Sequence, residues 1–195
     1  MDSKHPELVR FVKEHAVMRG EFKLASGLIS DYYIDGKQIV SQPDGLRLVA
    51  RAIRDELADF HVDAIGGLEI GAIYIATAVA FDSVNWPKPI PLFTVRKATK
   101  EHGSRKKVEG VVPEGGSVAV VDDVVTTGGS VIQAIEAMRE KGCKVAVAVT
   151  IVDRCSGAAE ALAGLGIPYR PLLTIEDLEL SNEQTRRGSL QRTGS

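Results

Sequence analysis

Two acidic residues, Asp122 and Asp123, close an apolar run, Val118-Ala119-Val120-Val121, and stand directly before Val124-Val125-Thr126-Thr127-Gly128-Gly129-Ser130. The order is strand, acidic pair, polar loop, then a helix over Ser130 to Lys141. At the carboxyl end of a parallel strand a ligand meets the crevice above the sheet, and the following helix offers unpaired N–H groups and the positive end of its dipole. A phosphate belongs at that loop. Gly128 and Gly129 let the backbone approach closely, and the hydroxyls of Thr126, Thr127 and Ser130 can donate to phosphate oxygens. Two adjacent carboxylates would repel the same phosphate, so they are expected to face ribose hydroxyls or a bound metal that offsets their charge. Helix capping is the plainer use of acid here, but a cap uses one such residue more naturally than two.

Three further groupings bear on the same chemistry. Arg96, Lys97, Lys100, Arg105, Lys106 and Lys107 crowd one segment together with His102. Such a run is either a solvated basic loop or a set of cations that neutralises charge developing on a leaving group. Its place between core strands favours the second use. Gly66-Gly67-Leu68-Glu69-Ile70-Gly71-Ala72 reads as a strand end and helix start whose backbone N–H groups cradle an anion. Asp153-Arg154 ends the last long apolar strand, and an arginine there is either a surface ion-pair residue or a bidentate partner for a planar carboxylate.

The elements that must position these groups follow from periodicity. An amphipathic helix is expected over His5 to Val17, and a hairpin-like hood follows from strand-like Glu21 to Ala25, a Ser26-Gly27 turn and extended Asp31 to Asp35. Ser41 and Pro43 announce a helix whose Leu46, Val49, Ile53 and Leu57 form one apolar stripe. Strand and helix then alternate: Val62 to Ile65 extended, Ala72 to Phe81 helical, Ile90 to Val95 extended, Ser117 to Val121 extended, and Lys144 to Val152 extended after the helix at Ser130. Alternation with nearly all-apolar strands predicts an α/β fold, a mainly parallel sheet covered on both faces. At 195 residues and 44% apolar content one domain is expected over residues 1–180, with the hood about 1–40 and the core about 41–175. Residues 181–195, rich in Ser, Thr, Gly, Arg and Gln, are expected to form a mobile tail.

The thirteen residues Val118 to Ser130 resemble the PRPP signature of type I phosphoribosyltransferases, PRPP being 5-phosphoribosyl-1-diphosphate. Arg-Lys-x-x-Lys-x-His-Gly at Arg96 to Gly103 resembles the catalytic loop of the orotate-using members, and Phe22 to Asp35 resembles their N-terminal segment. The resemblance spans about Glu21 to Thr174. It implies the type I phosphoribosyltransferase fold and transfer of the phosphoribosyl group from PRPP to orotate, giving orotidine 5′-phosphate and pyrophosphate in de novo pyrimidine (UMP) biosynthesis. By the same resemblance Asp122 and Asp123 take the ribose hydroxyls, and Val124, Val125, Thr126, Thr127, Gly128, Gly129 and Ser130 surround the 5′-phosphate. Arg96, Lys97, Lys100 and His102 meet the pyrophosphate, with Lys100 and His102 counted as catalytic alongside the two aspartates. Arg154, Thr126 and a stacking Tyr33 receive orotate. Mg²⁺ enters with PRPP, near Asp122 and Asp123 rather than in a protein cage, and the loop implies a homodimer with a shared active site. Some family members have lysine where this chain has Ile70 or Ala25. A purine- or uracil-using relative would lack the basic loop and the Tyr-Tyr hood.

Composition excludes other classes. A net charge of −2 with 26% charged residues gives no global field for nucleic acid. A regulatory PRPP sensor that binds nucleic acid would need a helix-turn-helix extension or a broad basic face. No apolar run approaches membrane-spanning length, the charged N-terminal stretch is unlike a signal peptide, and the two cysteines, Cys143 and Cys155, suit a reducing cytoplasm.

Overall fold

The computed structural model describes residues 3–23, 29–97 and 107–180. The Ser26-Gly27 turn, Ala25, Lys100, His102 and the tail at 181–195 lie outside the described residues. Helix α1 (Pro6–His15) leads into β1 (Val17–Lys23), which pairs antiparallel with β2 (Ile29–Ile34) to form the hood. The helix ends before the expected Val17 because Val17 is already a strand residue opposite Ile34. Along β2 the side chains alternate: Ser30, Tyr32 and Ile34 are buried, Asp31 and Tyr33 exposed.

Short helix α2 (Gly36–Val40) starts at Asp35, whose carboxylate accepts the Lys37 N–H at 3.1 Å, a side-chain N-cap. Ser41, expected to open the next helix, instead closes α2 by donating its N–H to the Lys37 carbonyl. Helix α3 (Pro43–Leu57) then begins with proline in its first turn, where a missing N–H costs nothing. Its Val49, Ile53 and Leu57 are buried. Each such side chain contributes about 1.5–3 kcal/mol by leaving water.

Six strands form the main sheet in the order β5-β4-β3-β6-β7-β8. They are β3 (Ala64–Leu68), β4 (Leu92–Val95), β5 (Val108–Gly110), β6 (Ser117–Val125), β7 (Lys144–Asp153) and β8 (Tyr169–Thr174). All neighbours run parallel except the edge strand β5, which is antiparallel to β4. Between them lie α4 (Gly71–Asp82), α5 (Gly129–Glu140) and α6 (Ala158–Gly164). The pleat divides β6: Ala119 and Val121 join Val49, Ile53, Ile75 and Val79 of α3 and α4, whereas Val118 and Val120 join Val131, Ile135 and Met138 of α5 and Leu162 of α6. The result is the expected α/β architecture, one mainly parallel sheet between two helical layers. Among the described residues, no helix is long and apolar enough to cross a membrane.

Strand β6 runs past its expected end at Val121. Pairing with β7 continues from Asp122 opposite Thr150 to Val125 opposite Asp153. The acidic pair therefore belongs to the strand rather than to the loop after it, and every strand but β5 and the hood hairpin points its carboxyl end toward the same edge.

Candidate active site

Because Asp122 and Asp123 are consecutive strand residues, the pleat directs them to opposite faces of the sheet. Asp123 falls on the α2 and α4 side. A Cβ added at Gly36 would lie 2.7 Å from Asp123 Oδ2, and one added at Gly71 would lie 2.7 Å from Asp123 Cγ, so the carboxylate fills a slot between the first residues of two helices. Asp122 falls on the α5 side, where the Ser130 hydroxyl donates to its Oδ2. Each carboxylate also accepts the next amide: Asp123 N–H donates to Asp122 Oδ1 and Val124 N–H to Asp123 Oδ1, both at 2.9 Å. Burial pushes the Asp122 carboxyl up to about 6; the Ser130 bond opposes this and the neighbouring Asp123 charge reinforces it.

Beyond Val125, Thr126 and Thr127 are exposed and Gly128 adopts a left-handed φ of 86° that lets the chain turn into α5 at Gly129. Nothing stands within 4 Å of a Cβ placed at Gly129, so this helix start is open to a ligand. The first-turn amides of α5 and the two exposed threonines stand together at this open helix start. Ser130 differs from expectation. Its hydroxyl is turned inward to Asp122 rather than presented to the loop.

A cleft of about 490 Å³ opens over the carboxyl ends of β3 and β6, lined by Lys37, Glu69, Ile70, Gly71, Lys97, Asp122, Asp123, Val124 and Ser130 among others. Three carboxylates and two ammonium groups thus face one space. Lys97 enters from the end of β4, where its N–H donates to Glu69 Oε1 at 3.0 Å. The glycine run expected to cradle an anion is mostly strand. Gly66 and Gly67 lie within β3, where added Cβ atoms would fall 2.1 Å from the Phe93 carbonyl and 2.2 Å from the Val121 carbonyl. Only Glu69, Ile70 and Gly71 form the turn, whose Glu69–Ile70 peptide is cis, and the Glu69 N–H is taken by the Val95 carbonyl. The part of this run that lines the cleft is therefore the turn that opens α4.

Arg96 does not line this cleft. Its Nε donates to Glu109 Oε1 on β5 at 2.7 Å, which raises its pKa, and its N–H donates to the Lys107 carbonyl. Tyr33 lies on the outer face of β2 with its ring 5.7 Å from that of Phe22. Arg154 follows β7 and donates its N–H to the Val125 carbonyl at 2.9 Å, which sets it beside Thr126. Its guanidinium lies 5.0 Å from the ring centre of Tyr32. One participant went unread from sequence, Gly36, and Gly71, read there only as part of an anion-cradling run, proves to abut Asp123 through a long-range contact. Lys37 stands in the cleft with the acidic pair.

The donors around Asp122 and Asp123 are hard oxygens, the set Mg²⁺ prefers. Among the described residues, no three His, Cys, Asp or Glu side chains come together as a metal cage.

The family model for the phosphoribosyl transferase domain matches residues 35–164. The orotate phosphoribosyltransferase of Corynebacterium glutamicum is 42% identical over 175 residues, covering 90% of this chain and 94% of its own. That of Streptomyces avermitilis is 43% identical over 181 residues, covering 92% and 100%. The crystal structure of the Mycobacterium tuberculosis orotate phosphoribosyltransferase in complex with PRPP aligns with a TM-score of 0.75 at 35% identity, covering 89% of this chain and 98% of the other. Adenine phosphoribosyltransferase from Saccharomyces cerevisiae, at 19% identity and a TM-score of 0.65, shares the fold.

Proposed function

Because the chain belongs to the phosphoribosyl transferase family, we infer that its cleft transfers the 5-phosphoribosyl group of PRPP to orotate, giving orotidine 5′-phosphate and pyrophosphate. The observation that carries this reading is the pair Asp122 and Asp123, held at the end of β6 between an open helix start and a cleft containing Lys37 and Lys97. The same pair and its loop recur in the order that the family's PRPP signature requires.

In this reading the ribose hydroxyls bond to Asp122 and Asp123, and the 5′-phosphate sits on the amides and hydroxyls of Thr126 to Ser130. The pyrophosphate meets Lys97 from the described part of the basic segment, and Lys100 and His102 from its remainder. Arg96 joins them by exchanging Glu109 for the leaving group. Orotate presents its carboxylate to Arg154, whose planar fork matches it, with Thr126 alongside and Tyr33 brought in from the hood to stack on the ring. As the bond from ribose to pyrophosphate stretches, positive charge grows on the sugar and negative charge on the departing oxygens. Carboxylates on one side and ammonium groups on the other stabilise that separation without a covalent intermediate. Asp122 and Asp123 would stand beside a Mg²⁺ ion brought in with PRPP, which would supply further charge neutralisation.

The partner we assign is a second copy of the chain. Helix α4 is apolar on nearly every side, yet Ile70, Tyr74, Phe81 and Val84 along and beyond one face are 55%, 43%, 82% and 68% exposed. This supports a homodimer that covers the face and brings one subunit's basic loop to the other's cleft. The reading assigns residues 1–180 to one catalytic domain, and the free cysteines fit a cytoplasmic enzyme.

The test mixes protein, PRPP, Mg²⁺ and orotate and follows the ultraviolet absorbance of orotate with and without chelator, with uracil, adenine and hypoxanthine as rival bases. Orotate consumption that stops with chelator is the expected result. Turnover of a rival base but not of orotate would overturn the reading of Arg154 and the hood, and inactivity with every base would overturn the reaction itself.

A further inference from the structure

Arg154 is half-buried, and among the described residues no carboxylate, carbonyl or hydroxyl accepts a hydrogen bond from its guanidinium. What does hold it is the ring of Tyr32, 5.0 Å away and itself only 3% exposed. The two residues come from different parts of the fold. Tyr32 lies on hood strand β2, opposite Arg19 of β1, while Arg154 follows the core strand β7. The turn that carries Arg154 is set by Asp153, a buried carboxylate whose Oδ1 accepts the Cys155 N–H at 2.8 Å.

A guanidinium stacked on an aromatic face keeps its five N–H donors, which lie in its own plane and point outward from its edge. The ring therefore restricts the side chain without consuming any donor. A planar carboxylate arriving at that edge finds a fork already oriented, and less side-chain entropy is lost when it binds. Resting on the orotate reading above, we propose that Tyr32 is a positioning residue for base recognition: it holds Arg154 in the carboxylate-receiving orientation and so makes pyrimidine selection depend on the hood. Tyr32 touches neither substrate nor the reacting atoms in this role. Its sequence neighbour Tyr33 points to the other face of the strand, so the two tyrosines have separate tasks.

The test separates KM from kcat. Tyr32→Leu, which removes the ring, should raise the KM for orotate about tenfold, while the KM for PRPP and kcat stay within about twofold. Tyr32→Phe keeps the ring and should restore the wild-type KM for orotate. In an Arg154→Met background the Tyr32→Leu change should add nothing, since there is no guanidinium left to hold. Should Tyr32→Leu fail to fold, phenylalanines of increasing fluorination at position 32 keep the shape and withdraw the ring's negative face, and the KM for orotate should rise stepwise. A flat series, or equal losses toward PRPP and orotate, would overturn the role of Tyr32 while leaving the reaction intact. A wild-type protein inactive on orotate would instead remove the reading on which the role rests.

Discussion

Gly36 lies so close to Asp123 that no side chain fits between them: a Cβ there would stand 2.7 Å from the carboxylate oxygen and 2.8 Å from its Cβ. The first residue of α2 is thus part of the mould that sets an acidic side chain at the end of β6. Gly36→Ala should displace Asp123 and lower turnover about a hundredfold, the scale expected when a reacting geometry shifts by about 1 Å. Steady-state kinetics on the folded variant check this; wild-type turnover would mean that the carboxylate can yield without harm.

The raised pKa of Asp122, about 6, predicts a stability effect with a definite sign. The folded protein binds this proton more readily than the unfolded chain, whose carboxyl titrates near about 4. Stability linked to the proton is fully present below that value and is lost as pH rises through about 6. Asp122→Asn cannot ionise, keeps an oxygen for the Asp123 N–H while its amide N–H can donate to the Ser130 hydroxyl, and should melt several degrees above wild type at pH 7.5, with the gap closing toward pH 4. Its turnover should fall at least about tenfold, because it gives up an ionised acceptor. Melting curves at both pH values decide the point: an unchanged gap would show that Asp122 burial carries no ionisation cost.

Two lysines should fail in different ways. Lys37 faces the cleft on a fixed helix and, among the described residues, its ammonium has no hydrogen-bond or ion-pair partner. Lys37→Ala should raise the KM for PRPP about tenfold, the cost of one charge-assisted contact, and leave the KM for orotate unchanged. Lys100, in the basic segment, is expected to act on charge that appears only as pyrophosphate departs, so Lys100→Ala should lower kcat about 10²–10³-fold with little change in KM. Full initial-rate analysis distinguishes these patterns, and a KM effect from both would assign Lys100 to substrate binding.

Phe81 is 82% exposed on the outer face of α4. On the proposed homodimer, Phe81→Glu would place a charge on its apolar face and should give a monomer in sedimentation velocity experiments where wild type gives a dimer, with turnover lost as the shared site comes apart. A Phe81→Glu protein that remains dimeric would move the interface elsewhere.

The run Val118 to Val121 is apolar on both pleat faces, which is the mark of a central parallel strand, and the stripe of α3 is equally plain in its spacing. Helix α2 has only five residues and opens with glycine, α6 is an Ala- and Gly-rich turn of chain, β5 has three residues, and β8 contains Pro171; none carries enough periodicity to be recognised locally. The acidic pair was legible because its loop and helix are contiguous with it. The slot around Asp123 was not, since Gly36 and Gly71 reach it only through the tertiary fold. The different directions of Tyr32 and Tyr33 depend on strand pairing, here with an irregularity between Arg19 and Phe22, which local sequence does not specify.

The two ends of the basic segment are fastened together. Arg96 gives its N–H to the Lys107 carbonyl at 2.9 Å, its side chain grips Glu109, and β5 returns alongside β4. The described flanks of this segment thus meet at a single seam, so the length and composition of the sequence between them are uncoupled from the strand register on either side. Doubling such a loop costs only about 0.6 kcal/mol in closure entropy. The consequence is modularity: on the proposed role of Lys100 and His102, libraries that randomise residues 98–106 should alter leaving-group chemistry while the sheet keeps its register.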